Sequence, residues 1–309
     1  MKVHLDCFPC FFRQTLIAVR LGTKDEALQA EVLKGVTEEI RTTDMSKPPA
    51  HSTTFLHRKI RSMLGKDPFA EIKSEYNRIA LSLYPALKAR VEQSEDPLWT
   101  ASRLAIAGNV IDFGIFTSVD IAGTIERALH TPLAVDGYAA FRGALARHDE
   151  VLYLLDNAGE IVFDMLLIEV LAGMGKRVRA VVKGAPVLND ATAGDASEVG
   201  LADKCVIVDN GSDCIGTILE LTSPEFNREF ERSAFVISKG QGNFETLFSP
   251  ERDRYPGKEI FFLLQSKCDV LSQDLGVAKG AMLLVRGGEP CRERLPGQAS
   301  GSVYAAGSR

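Results

Sequence analysis

Val151-Leu152-Tyr153-Leu154-Leu155-Asp156-Asn157-Ala158-Gly159-Glu160 decides the fold. An apolar run stops abruptly at an acid, an amide and a glycine. Ile161 to Met174 then continues as a stretch long enough for a helix, and Gly175 closes it. A strand covered on both faces reads as such an unbroken run, and Asp, Asn and Gly are turn residues. The unit recurs. Val178 to Val182, Cys205 to Val208, Ala234 to Ser238, Ile260 to Leu264 and Met282 to Val285 are further β-rich runs, mostly separated by helix-length segments. This alternation predicts an α/β fold, a Rossmann-like, mostly parallel sheet with helices on both faces.

Upstream the pattern turns helical. Phe8, Phe11, Phe12, Leu16, Ile17 and Val19 recur close to a helical period, with Asp6 as a cap, Pro9 in the first turn and Gly22 as a stop. Helical spacing also covers about 52 to 64 and 68 to 93, punctuated by Gly65 and Asp67-Pro68. Asp96-Pro97 opens another helix, which ends at Ala107-Gly108-Asn109. The predicted layout is an N-terminal all-helical subdomain over 1–105, a sheet domain over 106–286 and a disordered Gly-, Ser-, Pro- and Arg-rich tail over 287–309.

Composition narrows the partners. The 41 Asp and Glu residues outnumber 36 Lys and Arg, a formal charge of -5 that offers nucleic acid or anionic lipid no broad attraction. No run approaches the roughly 18 to 20 apolar residues of a membrane helix, and Met1 to Cys7 lack the layout of a signal peptide. The expectation is a cytoplasmic protein. Its six cysteines are then free thiols or ligands and not a disulfide framework. No coiled coil or interface stripe indicates an oligomeric state.

The chemistry follows the strands. Lys183-Gly184 and Asn189-Asp190 come after the second run, Asp209-Asn210-Gly211 after the third, Lys239-Gly240-Gln241-Gly242-Asn243 after the fourth and Ser266-Lys267-Cys268 after the fifth. Turn chemistry accounts for any one of these loops. Together they gather at the carboxyl edge of a parallel sheet, where such folds bind ligands. Asp156, Asn157 and Asp190 offer hard oxygen ligands suited to magnesium or manganese, with cobalt or nickel as alternatives. Glu160 opens a helix whose N-terminal amides favour an anion. Gly240 and Gly242 allow close backbone approach to a phosphate, Lys239 supplies a mobile cation and Asn243 a donor. The Gly-Lys-Ser/Thr ending of a P-loop is absent.

Asp156 to Glu160, Leu188-Asn189-Asp190-Ala191-Thr192 and Ser238-Lys239-Gly240-Gln241-Gly242-Asn243-Phe244-Glu245 resemble the damage-control phosphatase family, long a domain of unknown function. The likeness runs from Asp6-Cys7-Phe8-Pro9-Cys10 through Asp67-Pro68-Phe69 and Gly108 to Phe113, as far as Gln265-Ser266-Lys267-Cys268. The Cys-x-x-Cys pair is similar to the small prokaryotic branch. The resemblance implies a divalent-metal phosphatase for small phosphorylated metabolites, sugar phosphates or cofactor precursors. By that likeness Asp156, Asn157 and Asp190 hold the metal, and Asn109, Asp112 and Lys239 contact substrate. The attacking group is a water or a carboxylate. The lack of an Asp-x-Asp pattern at the first strand's end favours water.

Two other readings compete. An S-adenosylmethionine-dependent carboxyl methyltransferase needs a glycine-rich first loop and an acid after the second strand, where Lys183-Gly184 stands instead. A non-catalytic phosphometabolite-binding protein needs only the site. Cys7 and Cys10 read as structural thiols, as a redox pair, or as half of a soft-metal site completed by Cys268 or His4. His51 and His57 lack ligand spacing.

Overall fold

The computed structural model describes residues 1–110, 121–249 and 254–289. Asp112 and the tail from 290 onward lie outside the described residues. The chain opens with helices α1 (Cys7–Gly22), α2 (Glu26–Gly35), α3 (Thr37–Arg41), α4 (Pro49–Leu64), α5 (Ala70–Glu92), α6 (Pro97–Val110) and α7 (Ile121–His130). Then follow β1 (Val135–Asp136), α8 (Tyr138–Leu145), β2 (Glu150–Leu154), α9 (Glu160–Gly173), β3 (Arg177–Val182), α10 (Ala193–Glu198) and β4 (Val206–Asp209). The chain continues through α11 (Pro224–Arg232), β5 (Phe235–Lys239), α12 (Gly240–Leu247), β6 (Glu259–Gln265), α13 (Asp269–Leu275) and β7 (Met282–Arg286).

The strands form one sheet in the order β1-β7-β6-β5-β2-β3-β4, parallel except where β7 runs antiparallel to β6. From β2 the chain steps outward through β3 to β4, then returns to lay β5 on the other side of β2. The strand order therefore reverses between β2 and β5, the crevice where α/β sheets bind ligands.

Alternation along each strand builds a core on both faces. Val151, Tyr153, Phe235, Ile237, Phe261 and Leu263 pack on one face with α5, α6, α8 and α9. Leu152, Leu154, Val236, Phe262 and Leu264 pack on the other against Phe226, Phe230, Phe244 and Leu271 of α11, α12 and α13. Helix α9 is mostly apolar and covered nearly all round, with Ile161 to Ile168 all buried, because α5 and α6 cover the surface that the sheet leaves open.

The first four helices bury a separate cluster, including Phe11, Val19, Val32, Leu56 and Ile60. The latter part of α5 and all of α6 belong instead to the core over the sheet, so the apolar clusters group differently from a cut at residue 105. The expected start of α1 is found, but Asp6 makes no side-chain cap. Helices α2, α3, α7 and α8 and the two-residue β1 were not anticipated from the pattern; α2, unlike α1, buries only Val32 along its length. No helix among the described residues is long and apolar enough to cross a membrane.

Candidate active site

A cavity of about 380 Å³ lies between the carboxyl edge of the sheet and helices α1 and α4. Asp156, Asn157, Glu160, Asp190 and Lys267 line its sheet side; Cys7, Cys10, Phe11, Ala50 and Thr53 line its roof.

Backbone bonds join the two acidic loops. Asn157 and Asp190 form an isolated antiparallel bridge, with Ala191 donating to the Asp156 carbonyl at 2.8 Å and Ala158 to that of Asn189 at 2.8 Å. Leu188, at φ +47°, turns the second loop back toward the first and is the only described non-glycine residue in the left-handed region. A branched side chain holds that backbone at a cost of order 1 kcal/mol, a strain commonly found beside functional groups. On the other flank Gly240, at φ +77°, comes so close that an added Cβ would lie 1.9 Å from Asp156 Oδ2. Its glycine thus serves the approach of Asp156.

The acids are crowded. Burial, then the carboxylates of Glu160 and Asp190, push the Asp156 carboxyl well above the ordinary range. Its Oδ2 accepts from Asn109 Nδ2 at 2.9 Å and Asn157 Nδ2 at 2.8 Å. Burial also raises Asp190, against the pull of Lys183, whose Nζ is 3.4 Å from Oδ2. That oxygen is buried and makes no hydrogen bond. Burial would raise Glu160 as well, but Lys239 and Lys267, with the amide of Asn109, hold it below the usual range.

Lys239 overturns the expectation of a mobile cation. It is fully buried, with Nζ 2.6 Å from Glu160 Oε1, 2.6 Å from Asp164 Oδ1 and 2.9 Å from the Ala105 carbonyl. Lysine at the end of β5 shares the face of Phe235 and Ile237, which meets α9. Asn243 is likewise buried away from the cavity. Its Nδ2 donates to the Leu155 and Lys239 carbonyls, and its Oδ1 accepts from Thr217. The glycine-rich segment is the first turn of α12, not a free loop. Asn109 lines the cavity but spends its amide on Asp156, Glu160 and the Gln265 N–H.

Sequence reasoning gave Lys267 no role, although it stood in a polar loop at the same sheet edge. Among the described residues that line the cavity, it is the one Lys or Arg. Glu245 was also missed. Its carboxyl lines the cavity, accepts from Gln241 Nε2 at 2.8 Å and from the Ala50 N–H at 3.1 Å, and burial raises it to about 6. Cys7, Cys10 and Cys268 are free thiols on the cavity wall, and burial raises Cys7 and Cys268. Among the described residues no three His, Cys, Asp or Glu side chains are arranged to hold an ion, so the thiols complete no soft-metal site there.

Known proteins agree with this architecture. The model of the damage-control phosphatase ARMT1-like domain matches residues 3–283. An uncharacterised protein of Methanocaldococcus jannaschii is 35% identical over 93% of this chain and 96% of its own length. A damage-control phosphatase of Pyrococcus horikoshii is 31% identical over 93% of this chain and 98% of its own. The crystal structure of a DUF89 family protein from the same organism superimposes with a TM-score of 0.84, at 31% identity, covering 93% of this chain and 99% of that one. With nearly its whole length matched in sequence and fold, the chain belongs to the damage-control phosphatase ARMT1-like family.

Proposed function

We propose that this cavity hydrolyses the phosphate monoester of a small metabolite, with a divalent metal, magnesium or manganese, held by Asp156, Asn157 and Asp190. The observation that carries the reading is the meeting of those three side chains and Lys267 on one cavity wall.

The residues suit a hard cation. Two crowded carboxylates, one with a buried oxygen that makes no hydrogen bond, are relieved by a double positive charge. The third ligand is an amide, a neutral oxygen beside the two acids. A metal bound there supplies Lewis-acid chemistry, drawing charge from the phosphoryl oxygens. Lys267 holds the phosphate against these acids and adds positive charge where the transition state gathers negative charge. Glu245, on the same cavity, accepts hydrogen bonds from the hydroxyls of the metabolite. Water is the attacking group, since an Asp-x-Asp pair would require an acid at position 158, where Ala158 is buried. Asn109 positions Asp156 rather than touching substrate.

Phosphate release from a panel of sugar phosphates and cofactor-precursor phosphates, with and without manganese, tests this. Metal-dependent turnover supports it. Binding without turnover leaves a phosphometabolite sensor, and methyl transfer from S-adenosylmethionine without phosphate release would replace it with a methyltransferase.

A further inference from the structure

The geometry assigns Lys239 and Glu160 a role as positioning residues that hold Asn157 in one amide orientation; the inference rests on the metal reading above. Lys239 Nζ clamps Glu160 Oε1 at 2.6 Å and Asp164 Oδ1 at 2.6 Å, and Tyr153 Oη donates to the same Asp164 oxygen at 2.7 Å. Glu160 is thereby fixed at the start of α9 with its second oxygen turned outward. That Oε2 accepts from Asn157 Nδ2 at 3.0 Å and Asn109 Nδ2 at 2.9 Å. Asn157 Nδ2 also reaches Asp156 Oδ2 at 2.8 Å.

An amide has one donor end and one acceptor end. Two carboxyl oxygens beside the nitrogen leave the acceptor end facing away from them. An inverted amide would set oxygen against oxygen at both contacts and offer the cation an N–H₂ group, which cannot bind it. The buried lysine therefore acts on the ligand set through two steps, lysine to glutamate and glutamate to asparagine. Outer partners of metal ligands commonly change affinity by about 10- to 100-fold when removed.

Two substitutions separate positioning from mere burial, because each removes one carboxylate from Lys239 but only one of them touches Asn157. The Lys239 ammonium only donates, so Glu160→Gln keeps its oxygen toward Lys239 and turns its N–H₂ toward Asn157, whose amide then inverts. Asp164→Asn leaves the contact to Asn157 in place. Manganese titrated calorimetrically into the purified protein should bind about 10- to 100-fold more weakly to Glu160→Gln and within about twofold of wild type to Asp164→Asn. If Glu160→Gln fails to fold, Glu160→Asp, which keeps the charge but withdraws it from the amide, should show the same loss. Unchanged affinity in the folded Glu160 variants, or an equal loss in Asp164→Asn, overturns the assignment while leaving the metal site standing. A wild-type chain that binds no manganese overturns both.

Discussion

Asp156 carries two burdens that pull in opposite directions. It sits among other acids, which penalise its charge, and in the proposed reading it must be charged to hold a cation. Asp156→Asn and Asp190→Asn should therefore each abolish turnover, by about 100-fold or more, while the metal-free protein melts no lower than wild type. The rise in melting temperature with manganese should vanish. Melting curves with and without manganese, beside phosphate release, measure both, and wild-type behaviour in both variants would remove these residues from the site. Gly240 is a second single-residue determinant. Gly240→Ala forces a Cβ into the Asp156 carboxylate and strains a backbone at φ +77°. It should cost about 1–3 kcal/mol in denaturant unfolding and lower turnover more than Gly257→Ala, an equally left-handed position with open space around it. At this scale the sequence was readable where a side chain follows directly from a strand end, as at Asp156 and Asn157. Lys239 was not, because its partner Glu160 comes from α9, and only the pairing of β5 with β2 brings the two together. The pattern that carries the clue is local: Phe235, Ile237 and Lys239 alternate onto one face, and Glu160 and Asp164 stand one turn apart on a mostly apolar helix.

Among the elements, α4 carries a buried histidine that makes the fold sensitive to acid. His57 is buried against Phe69, makes no hydrogen bond through Nε2, and is lowered to about 3 by burial and then by Arg61. Above the ordinary histidine value of 6.5 it is neutral in both folded and unfolded chains. Between 6.5 and about 3 the unfolded chain takes up a proton that the folded chain refuses, so stability falls as the pH falls. His57→Gln should flatten this limb, shrinking the stability difference between about pH 7 and pH 5 by about 2 kcal/mol. Urea unfolding at the two pH values checks it; an unchanged difference places the acid sensitivity elsewhere. Helix α1 yields a simpler expectation. Cys10 is exposed on the roof and bonds only Gln14 in the same helix, so Cys10→Ser should leave turnover within about twofold of wild type. A large loss would bring the thiol into the reaction. The long helices and the buried strands were legible from their periods. The antiparallel β7 was not, since an apolar run carries no direction.

At the scale of the whole molecule, the roof is fastened to the sheet through polar and apolar contacts. Arg58 and Arg61 grip Asp213, Thr54 accepts from the Ile215 N–H at 2.9 Å, and Glu245 accepts from Ala50. Apolar contact adds to these: Ala50, Val187 and Ile215 form a small cluster, and Leu188 and Val270 pack against the cluster of the first four helices. The core beneath α6 and α9 is continuous with the sheet, whereas the cluster within α1 to α4 is its own. The sequence pattern separated a helical part from a sheet part, but these polar fastenings were not visible in it, because each links residues more than 150 positions apart. The consequence of the division is a molecule with two rungs of local opening. The first four helices can lose their structure as a unit, exposing the cavity, while the sheet stays intact. Native-state hydrogen exchange should show amides of α1 and α4 opening at a lower free energy than those of β2, β5 and α9, and manganese with inorganic phosphate should slow the roof amides selectively. A single shared opening energy would mean the chain breathes only as a whole. With two rungs, a metabolite can enter and phosphate can leave by a partial unfolding that never disturbs the buried lysine beneath.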